Sequence, residues 1–414
     1  MRRRLLIERW FRRLGLAAIL LGVSAVVVLF LSILGKGYTA LQQTHIRLDV
    51  TFDPSALGVG AQPTRDELAR ADFAALIRQA LSKEFPDVQE RSQRRLLNAL
   101  VSSGASFDLR RQLLDDPKLL GQSASVWLTA DDDVDMLVKG HARADLPESE
   151  RQLKDVQLAW LNALEQRGRV DRQFNSTFFT AGDSREPEQA GILGAVMGSF
   201  YSLLVTLLLS FPLGVATAVY LEEFAPKNRW LDWIEVNINN LAAIPSIVFG
   251  LLGLAVFINV FGLPRSAPLV AGLVLTLMTL PVVIIASRAA IQSVPPSIRA
   301  AALGMGASQV QTVLHHVIPL ALPGMLTGTI IGMARALGET APLLMIGMVA
   351  FVVDVPHGVL EPATALPVQV YLWADSPERG FAERTSAAIA ILIVFLMAMN
   401  AVAVILRKRF EMRW

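Results

Sequence analysis

Residues 295–344 read PPSIRAAALGMGASQVQTVLHHVIPLALPGMLTGTIIGMARALGETAPLL. A polar, Ala/Gly-rich stretch leads into an apolar run that carries Arg335 and Glu339, one helical turn apart. A charge within lipid costs about 2.5–3.5 kcal/mol on insertion scales, so it usually serves a purpose. Two explanations are open at this point. The pair could line a path for an anion, or it could be an ion pair that satisfies itself inside a helix bundle.

The composition of the whole chain indicates a membrane protein. Of its 414 residues, 53% are hydrophobic and 18% are charged, and the mean hydropathy is +0.46. These values are typical of a polytopic membrane protein. The absence of cysteine excludes disulfides and a thiol nucleophile, and the five histidines have no ligand-like spacing, so we expect no metal site. The net charge of +2 is too small to indicate a nucleic-acid partner.

Six apolar segments predict an all-α polytopic membrane protein with six transmembrane helices. The first is uncharged from Leu14 to Leu34 and lacks a small-residue cleavage pattern, so we expect an uncleaved anchor. The others are Ile192–Leu221, Leu241–Leu263, Pro268–Ser287, Pro319–Ala350 and Thr385–Leu406. An even number of spans places both termini on one side of the membrane. Basic residues concentrate in the termini and in the loops after the second and fourth spans, which predicts cytoplasmic termini.

The spans divide the chain into three parts. We predict an N-terminal cytoplasmic tail with the first transmembrane helix in residues 1–35, a soluble extracytoplasmic insert in residues 36–190, and a membrane core with helices 2–6 in residues 191–414. The insert has no uncharged run long enough to cross a bilayer, and it is long enough to bury a core of its own.

The insert is predicted to be mainly α-helical. A capping box, Thr64–Glu67, opens one amphipathic helix that extends to Leu81. Further helical patterns cover Arg94–Val101 and Ser149–Gln166, and Val170–Thr180 favours a short strand. The acidic run Asp131–Asp135 lacks the glycine and the terminal glutamate of an EF-hand loop, so we interpret it as a solvated helix start.

The loop between spans four and five, residues 296–316, is too polar for lipid. Its alanine and glycine residues predict a compact helix–turn–helix with little side-chain bulk, which would let a partner protein approach the backbone. An ordinary connecting hairpin explains the composition equally well.

The spacing in this loop resembles the EAA loop of ABC-importer permeases. The residues that carry the resemblance are Arg299, Ala300, Ala301, Ala302, Leu303, Gly306, Ala307, Ser308 and Pro319. Ala300 stands where the family has its glutamate, which removes one polar contact. The resemblance implies a type I ABC importer permease fold, in which this loop docks into a cleft of the ATP-hydrolysing subunit.

Four further stretches resemble PstA, the phosphate-transport permeases of the binding-protein-dependent transport inner-membrane component family. They are Val219–Pro226, Pro245–Gly250, Ala334–Leu344 and Leu366–Val368. The resemblance covers about residue 190 to the C-terminus and leaves the insert outside. It implies a multi-pass protein of the bacterial inner membrane with a periplasmic insert. The implied partners are a second homologous permease, a dimer of ATP-binding subunits, an extracytoplasmic phosphate-binding protein and the surrounding lipid.

The resemblance also favours the anion path over the structural ion pair. A guanidinium matches two phosphate oxygens at once, so we expect Arg335 to contact substrate, Glu339 to orient it and Thr340 to add a hydroxyl donor. Arg288 is a fourth candidate for the pathway. It could equally be an interface residue whose side chain extends towards water.

We predict that this chain is not an enzyme. It has no catalytic residues to assign and no Gly-x-x-x-x-Gly-Lys-Ser/Thr motif, so ATP would be bound by the partner subunits and no cofactor by this chain. Two alternatives stay open. The chain could be a permease for another oxyanion such as molybdate or sulfate, or a membrane-anchored signalling or assembly protein that acts through residues 36–190.

Overall fold

A computed structural model describes residues 2–60 and 63–410 of the chain. The α-helices of the first half are α1 (Arg2–Gly37), α2 (Pro54–Leu57), α3 (Arg65–Arg70), α4 (Phe73–Glu84), α5 (Arg91–Asn98), α6 (Ala105–Asp115), α7 (Asp132–Val138), α8 (Asp155–Gln166) and α9 (Ser176–Thr180). Three strands accompany them, namely β1 (Gln42–Thr51), β2 (Ser123–Thr129) and β3 (Val170–Phe174).

Among the described residues, the second half contains helices and connecting loops but no strand. Its α-helices are α10 (Leu193–Val219), α11 (Arg229–Ala243), α12 (Ser246–Leu252), α13 (Pro268–Gln292), α14 (Pro296–Gly304), α15 (Gln309–Thr312), α16 (Ile318–Gly338), α17 (Ala341–Met345), α18 (Leu366–Ala374) and α19 (Gly380–Phe410). Wider π-helical turns follow α10, α12 and α15; they are Tyr220–Phe224, Gly253–Val260 and Val313–Val317.

The chain forms two compact units, and α19 contributes to both. The first unit comprises residues up to Phe179 together with Arg185–Ala190 and Ser376–Ala387. The second unit comprises Thr180–Ser184, Gly191–Asp375 and the residues from Ala388 onward.

A three-stranded antiparallel sheet organises the core of the first unit. The strand order is β2-β1-β3, and Ile46, Leu48 and Val50 on one face of β1 are fully buried. Helices α4 and α6 pack Leu81 and Leu109 into the same core. Apolar and polar residues alternate along β1, which is typical of a strand. The prediction of a mainly α insert nevertheless missed both β1 and β2.

The helices of the insert follow the sequence patterns with shifted ends. The capping box is confirmed, since the backbone N–H of Thr64 donates to Oε2 of Glu67 at 2.7 Å. The prediction of one helix through Leu81 was wrong. Asp72 interrupts it and caps α4 by accepting from the N–H of Ala75 at 3.1 Å. The last predicted helix is present as α8, and Gly168 ends it in the left-handed region with φ +64.

In the part of the chain that the structure describes, five helices are long and apolar enough to cross a membrane, and the number is six if a bent pair of helices is one span. The spans within single helices are Trp10–Leu41, Leu193–Phe224, Pro268–Gln292, Gln309–Gly338 and Gly380–Arg409. The prediction of a polytopic membrane protein is therefore confirmed. Two of the predicted spans differ in form.

The predicted span Leu241–Leu263 is broken rather than straight. Helix α11 and the segment Ser246–Val260 meet at 102°, with Pro245 at the junction. Proline lacks the N–H that would continue the helix, and the bend follows from that loss. The predicted span Pro319–Ala350 also stops early, because α16 ends at Gly338 and a separate short helix, α17, follows.

Helix α13 is the central helix of the second unit and packs between α10 and α16. Small residues make these close crossings possible. A Cβ atom on Gly272 would lie 2.5 Å from Cβ of Val205 in α10, and one on Gly328 in α16 would lie 2.1 Å from Cβ of Ala286. Close van der Waals packing at such small residues stabilises helix pairs inside a bilayer, where the hydrophobic driving force between helices is missing.

Candidate functional site

Arg335 and Glu339 lie at the end of α16, where the helix breaks. Nε of Arg335 is 3.5 Å from Oε1 of Glu339, a long distance for an ion pair. The Arg335 side chain is 49% exposed and that of Glu339 is 20% exposed. The guanidinium therefore keeps N–H groups that can donate hydrogen bonds to a ligand.

The break itself positions these groups. Glu339 has an extended backbone with ψ 121, and Thr340 precedes the first turn of α17. The segment that follows the break packs closely against Gly250 in α12. A Cβ atom on Gly250 would lie 2.6 Å from Cα of Pro342. Pro245–Gly250 and Ala334–Leu344, two of the stretches that resemble PstA, thus pack against one another.

Arg288 lies elsewhere and is bound to carboxylates. Its Nε is 2.6 Å from Oε1 of Glu222 and its Nη2 is 2.6 Å from Oε1 of Glu235. Gln292, one turn later in α13, donates to the same oxygen of Glu222 at 3.0 Å. The structure thus places Arg288 in a polar network that joins the end of α10 to α11 and α13. It does not bring Arg288 into contact with the other pathway candidates.

The loop of residues 296–316 forms the predicted helix–turn–helix. Helix α14 is followed by Gly306, whose φ of +90 makes the turn, and by a second capping box in which the N–H of Ser308 donates to Oε1 of Gln311 at 2.9 Å. Ala300, Ala301, Leu303 and Ser308 are exposed, Arg299 and Ala307 are half-buried, and Ala302 is buried. The turn presents Met305, which is 79% exposed.

Arg299 anchors this loop to the chain's own α10. Its Nη2 and Nε lie 2.6 and 3.0 Å from Oε1 of Glu223, and its Nη1 donates to the carbonyl of Val294 at 2.8 Å. Gln309, at the start of the loop's second helix, donates to the backbone carbonyl of Glu223 at 2.6 Å. Both helices of the loop therefore contact the π-helical turn Tyr220–Phe224.

Glu222, Glu223 and Glu235 were not among the candidate residues predicted from the sequence. Two adjacent glutamates at the end of an apolar span were the available signal, together with arginines at the ends of other spans. Among the described residues, no group of three or more His, Cys, Asp or Glu side chains could hold a metal ion.

Comparisons with known proteins place the chain in a family. Residues 210–414 match the family model described as the binding-protein-dependent transport system inner membrane component, and residues 1–148 match a domain of unknown function, DUF3333. The chain is 38% identical over 173 residues to the probable ABC transporter permease protein YqgI of Bacillus subtilis, which covers 42% of this chain and 58% of that protein.

A second relative is the phosphate transport system permease protein PstA 1 of Mycobacterium tuberculosis. It is 33% identical over 225 residues, which span 53% of this chain and 72% of the relative. Among solved structures, the MetNI methionine ABC transporter matches with a TM-score of 0.42 and 17% identity over 53% of this chain and 98% of the other. Family membership gives the chain a non-catalytic role as a transport component in the inner membrane. This multi-pass, mostly helical chain belongs to the binding-protein-dependent transport system inner membrane component family.

Proposed function

We propose that this chain is the transmembrane permease subunit of an ATP-driven importer of inorganic phosphate. The half-exposed guanidinium of Arg335 carries the proposal, because it stands beside a helix break with only a 3.5 Å pairing to Glu339. Support for the substrate comes from relatives named as phosphate permeases, which match between 50% and 54% of this chain.

The proposed site recognises phosphate by charge and shape. Phosphate carries one to two negative charges near neutral pH, and the planar fork of Arg335 can donate to two of its oxygens. Glu339 would orient the guanidinium and offset its charge between transport cycles. Thr340, one residue further, would supply a hydroxyl donor. Arg288, held between two carboxylates, would support the bundle at the cytoplasmic end rather than contact substrate.

The loop of residues 296–316 is the proposed docking element for the ATPase subunit. Its exposed apolar side chains, Leu303, Met305, Val310 and Leu314, suit a hydrophobic cleft. ATP-driven closure of a dimer of such subunits would move the loop. Arg299 and Glu223 would pass that movement to α10.

The complete transporter would contain further chains. A second homologous permease would close the translocation path, and an extracytoplasmic phosphate-binding protein would deliver substrate. Both termini would be cytoplasmic, and the insert of residues 36–190 periplasmic. The domain division 1–35, 36–190 and 191–414 follows from that topology.

Uptake of labelled phosphate tests the proposal directly. Cells that lack their own phosphate permease would be supplied with this chain and its partners, and molybdate and sulfate would serve as competitors. We expect restored uptake that only excess phosphate suppresses. Suppression by molybdate or sulfate would identify a permease for another oxyanion. No uptake from a correctly assembled complex would favour a role centred on residues 36–190.

A further inference from the structure

The first turns of α19 belong to the same compact unit as the insert. This unit includes Ser376–Ala387, the segment in which the final membrane span begins. Glu383 and Arg384 in this segment are adjacent and only 3% and 1% exposed. Buried charges are strongly unfavourable unless each has a partner, so the surroundings of these two residues must compensate them.

Glu383 is compensated by a lysine of the insert. Nζ of Lys139 lies 2.6 Å from Oε1 of Glu383 and 2.6 Å from Oδ2 of Asp135, and its side chain is 1% exposed. The other oxygen of Asp135 accepts from the backbone N–H of Thr44 at 2.8 Å. A continuous polar connection therefore runs from β1 through the end of α7 to α19.

Two more contacts hold the start of α19. Nη1 of Arg384 donates to the carbonyl of Ala190 at 2.7 Å. The backbone N–H of Gly380 donates to Oδ2 of Asp132 at 3.2 Å, and a Cβ atom on Gly380 would lie 1.8 Å from Oδ1 of the same carboxylate. The helix start thus lies so close to α7 that a side chain at residue 380 would displace the carboxylate of Asp132.

We propose that Lys139 is a positioning residue that fastens the insert to the first turns of the final membrane helix, so that the insert and this end of α19 move as one body. Lys139 contacts both buried carboxylates, so its loss affects both of them. His141, with Nε2 3.6 Å from Oε2 of Glu383, reaches only one. Helix α19 is continuous from Gly380 to Phe410, so its first turns belong to the same helix as the final membrane span. The insert would then take part in helix movement during transport; this consequence rests on the proposed function.

The absence of cysteine allows a direct test by cross-linking in the full-length chain. In D132C/G380C the carboxylate that would clash with a side chain at 380 is removed, and the two Cβ atoms come within reach of a disulfide. We expect mild oxidation of membranes to cross-link most molecules, while labelled phosphate uptake by the complete complex shows no loss. T51C/S123C, which joins facing residues of β1 and β2, is the matched control for oxidation inside the insert.

Two results would overturn the proposal. Uptake that is blocked by the disulfide and restored by a reductant would mean that the insert and α19 separate in each cycle. A folded D132C/G380C protein that never forms the disulfide would mean that the contact does not exist. Disulfide formation needs no substrate, so it still tests the fastening if the chain imports no phosphate at all.

A third variant tests Lys139 itself. In the D132C/G380C background we expect Lys139→Met to lower the cross-linking yield several-fold, and Lys139→Arg to retain most of it because the positive charge remains. Equal yields from the methionine and arginine variants would contradict the positioning role.

Discussion

Arg299 and Glu223 form a two-donor ion pair that ties the loop between α13 and α16 to the end of α10. Both donors of Arg299 reach one oxygen, Oε1, at 2.6 and 3.0 Å, and the pair is largely shielded from solvent. Ala300, the next residue, stands where the resemblance to the EAA loop places a glutamate. The connection of this loop to the membrane helices therefore depends on a contact within the chain itself.

Glu223→Gln should weaken coupling between ATP hydrolysis and transport. A hydrogen bond to a charged group contributes about 1.5–3 kcal/mol, and glutamine keeps an acceptor oxygen but loses the charge, so we expect phosphate uptake per ATP to fall roughly severalfold. The ratio would be measured in proteoliposomes that contain the assembled complex. Asp232→Asn, which neutralises an exposed carboxylate in α11, is the control and should leave the ratio unchanged. An unchanged ratio in the Gln variant would contradict the coupling role.

Arg335→Ala should abolish phosphate uptake while the complex still assembles. Arg335→Lys should restore little, because an ammonium group cannot donate to two oxygens in one plane; we expect apparent phosphate affinity to fall by about 10- to 100-fold. Competition binding and uptake at several phosphate concentrations would measure this. Arg265→Lys, at an exposed loop position, is the matched control. Normal uptake by the alanine variant would exclude Arg335 from the pathway.

Gly306→Trp should disrupt docking of the ATPase subunit. Residue 306 has φ +90 and open space around it, so a bulky side chain adds both strain of about 1–2 kcal/mol and an obstacle at the exposed turn. Gly121→Trp is a close control, since that glycine has φ +78 and open surroundings inside the insert. Co-purification of the ATPase subunit should fail for the first variant and succeed for the second. Equal co-purification would argue that the loop is only a connection.

The stability of the first unit should fall as the pH rises. Burial, and then the nearby carboxylate of Glu188, raises the pKa of Asp131 and of Asp132 from 3.8 to about 7. A carboxyl group with a raised pKa favours the folded state fully below pH 4, and this contribution is lost as the pH rises through about 7. The acidic run starts a helix as predicted, since Asp131 caps α7, but the run is not fully solvated: Asp131, Asp132 and Asp133 are half-buried and Asp135 is buried.

Thermal unfolding at pH 5 and pH 8 would measure this effect on the full-length protein. We expect a lower Tm at pH 8, and we expect Asp131→Asn to reduce the difference, since the amide oxygen can still cap α7 by accepting from the N–H of Asp133. Asp66→Asn, at an exposed position, is the control and should keep the full pH dependence. A Tm that rises from pH 5 to pH 8 would contradict the assigned pKa direction.

Local patterns in the sequence were sufficient to predict several elements. The capping box at Thr64, the stop at Gly168 and the helix–turn–helix around Gly306 depend on contacts within a few residues, and all three are present. Four of the six predicted spans were equally predictable, because a bilayer demands about 20 apolar residues whatever the neighbours are.

Tertiary structure decided which distant groups meet. The burial of Glu383, and its pairing with Lys139 across 244 residues of sequence, could not be predicted from either neighbourhood, since each looks like an ordinary polar segment. The end of α16 at Gly338 likewise depends on packing of the next segment against Gly250. Sequence alone therefore determined the membrane class and the approximate position of most spans, because hydrophobicity and local backbone preferences act over short distances. Only the fold determined the partners of each charge, because ion pairs depend on positions in space.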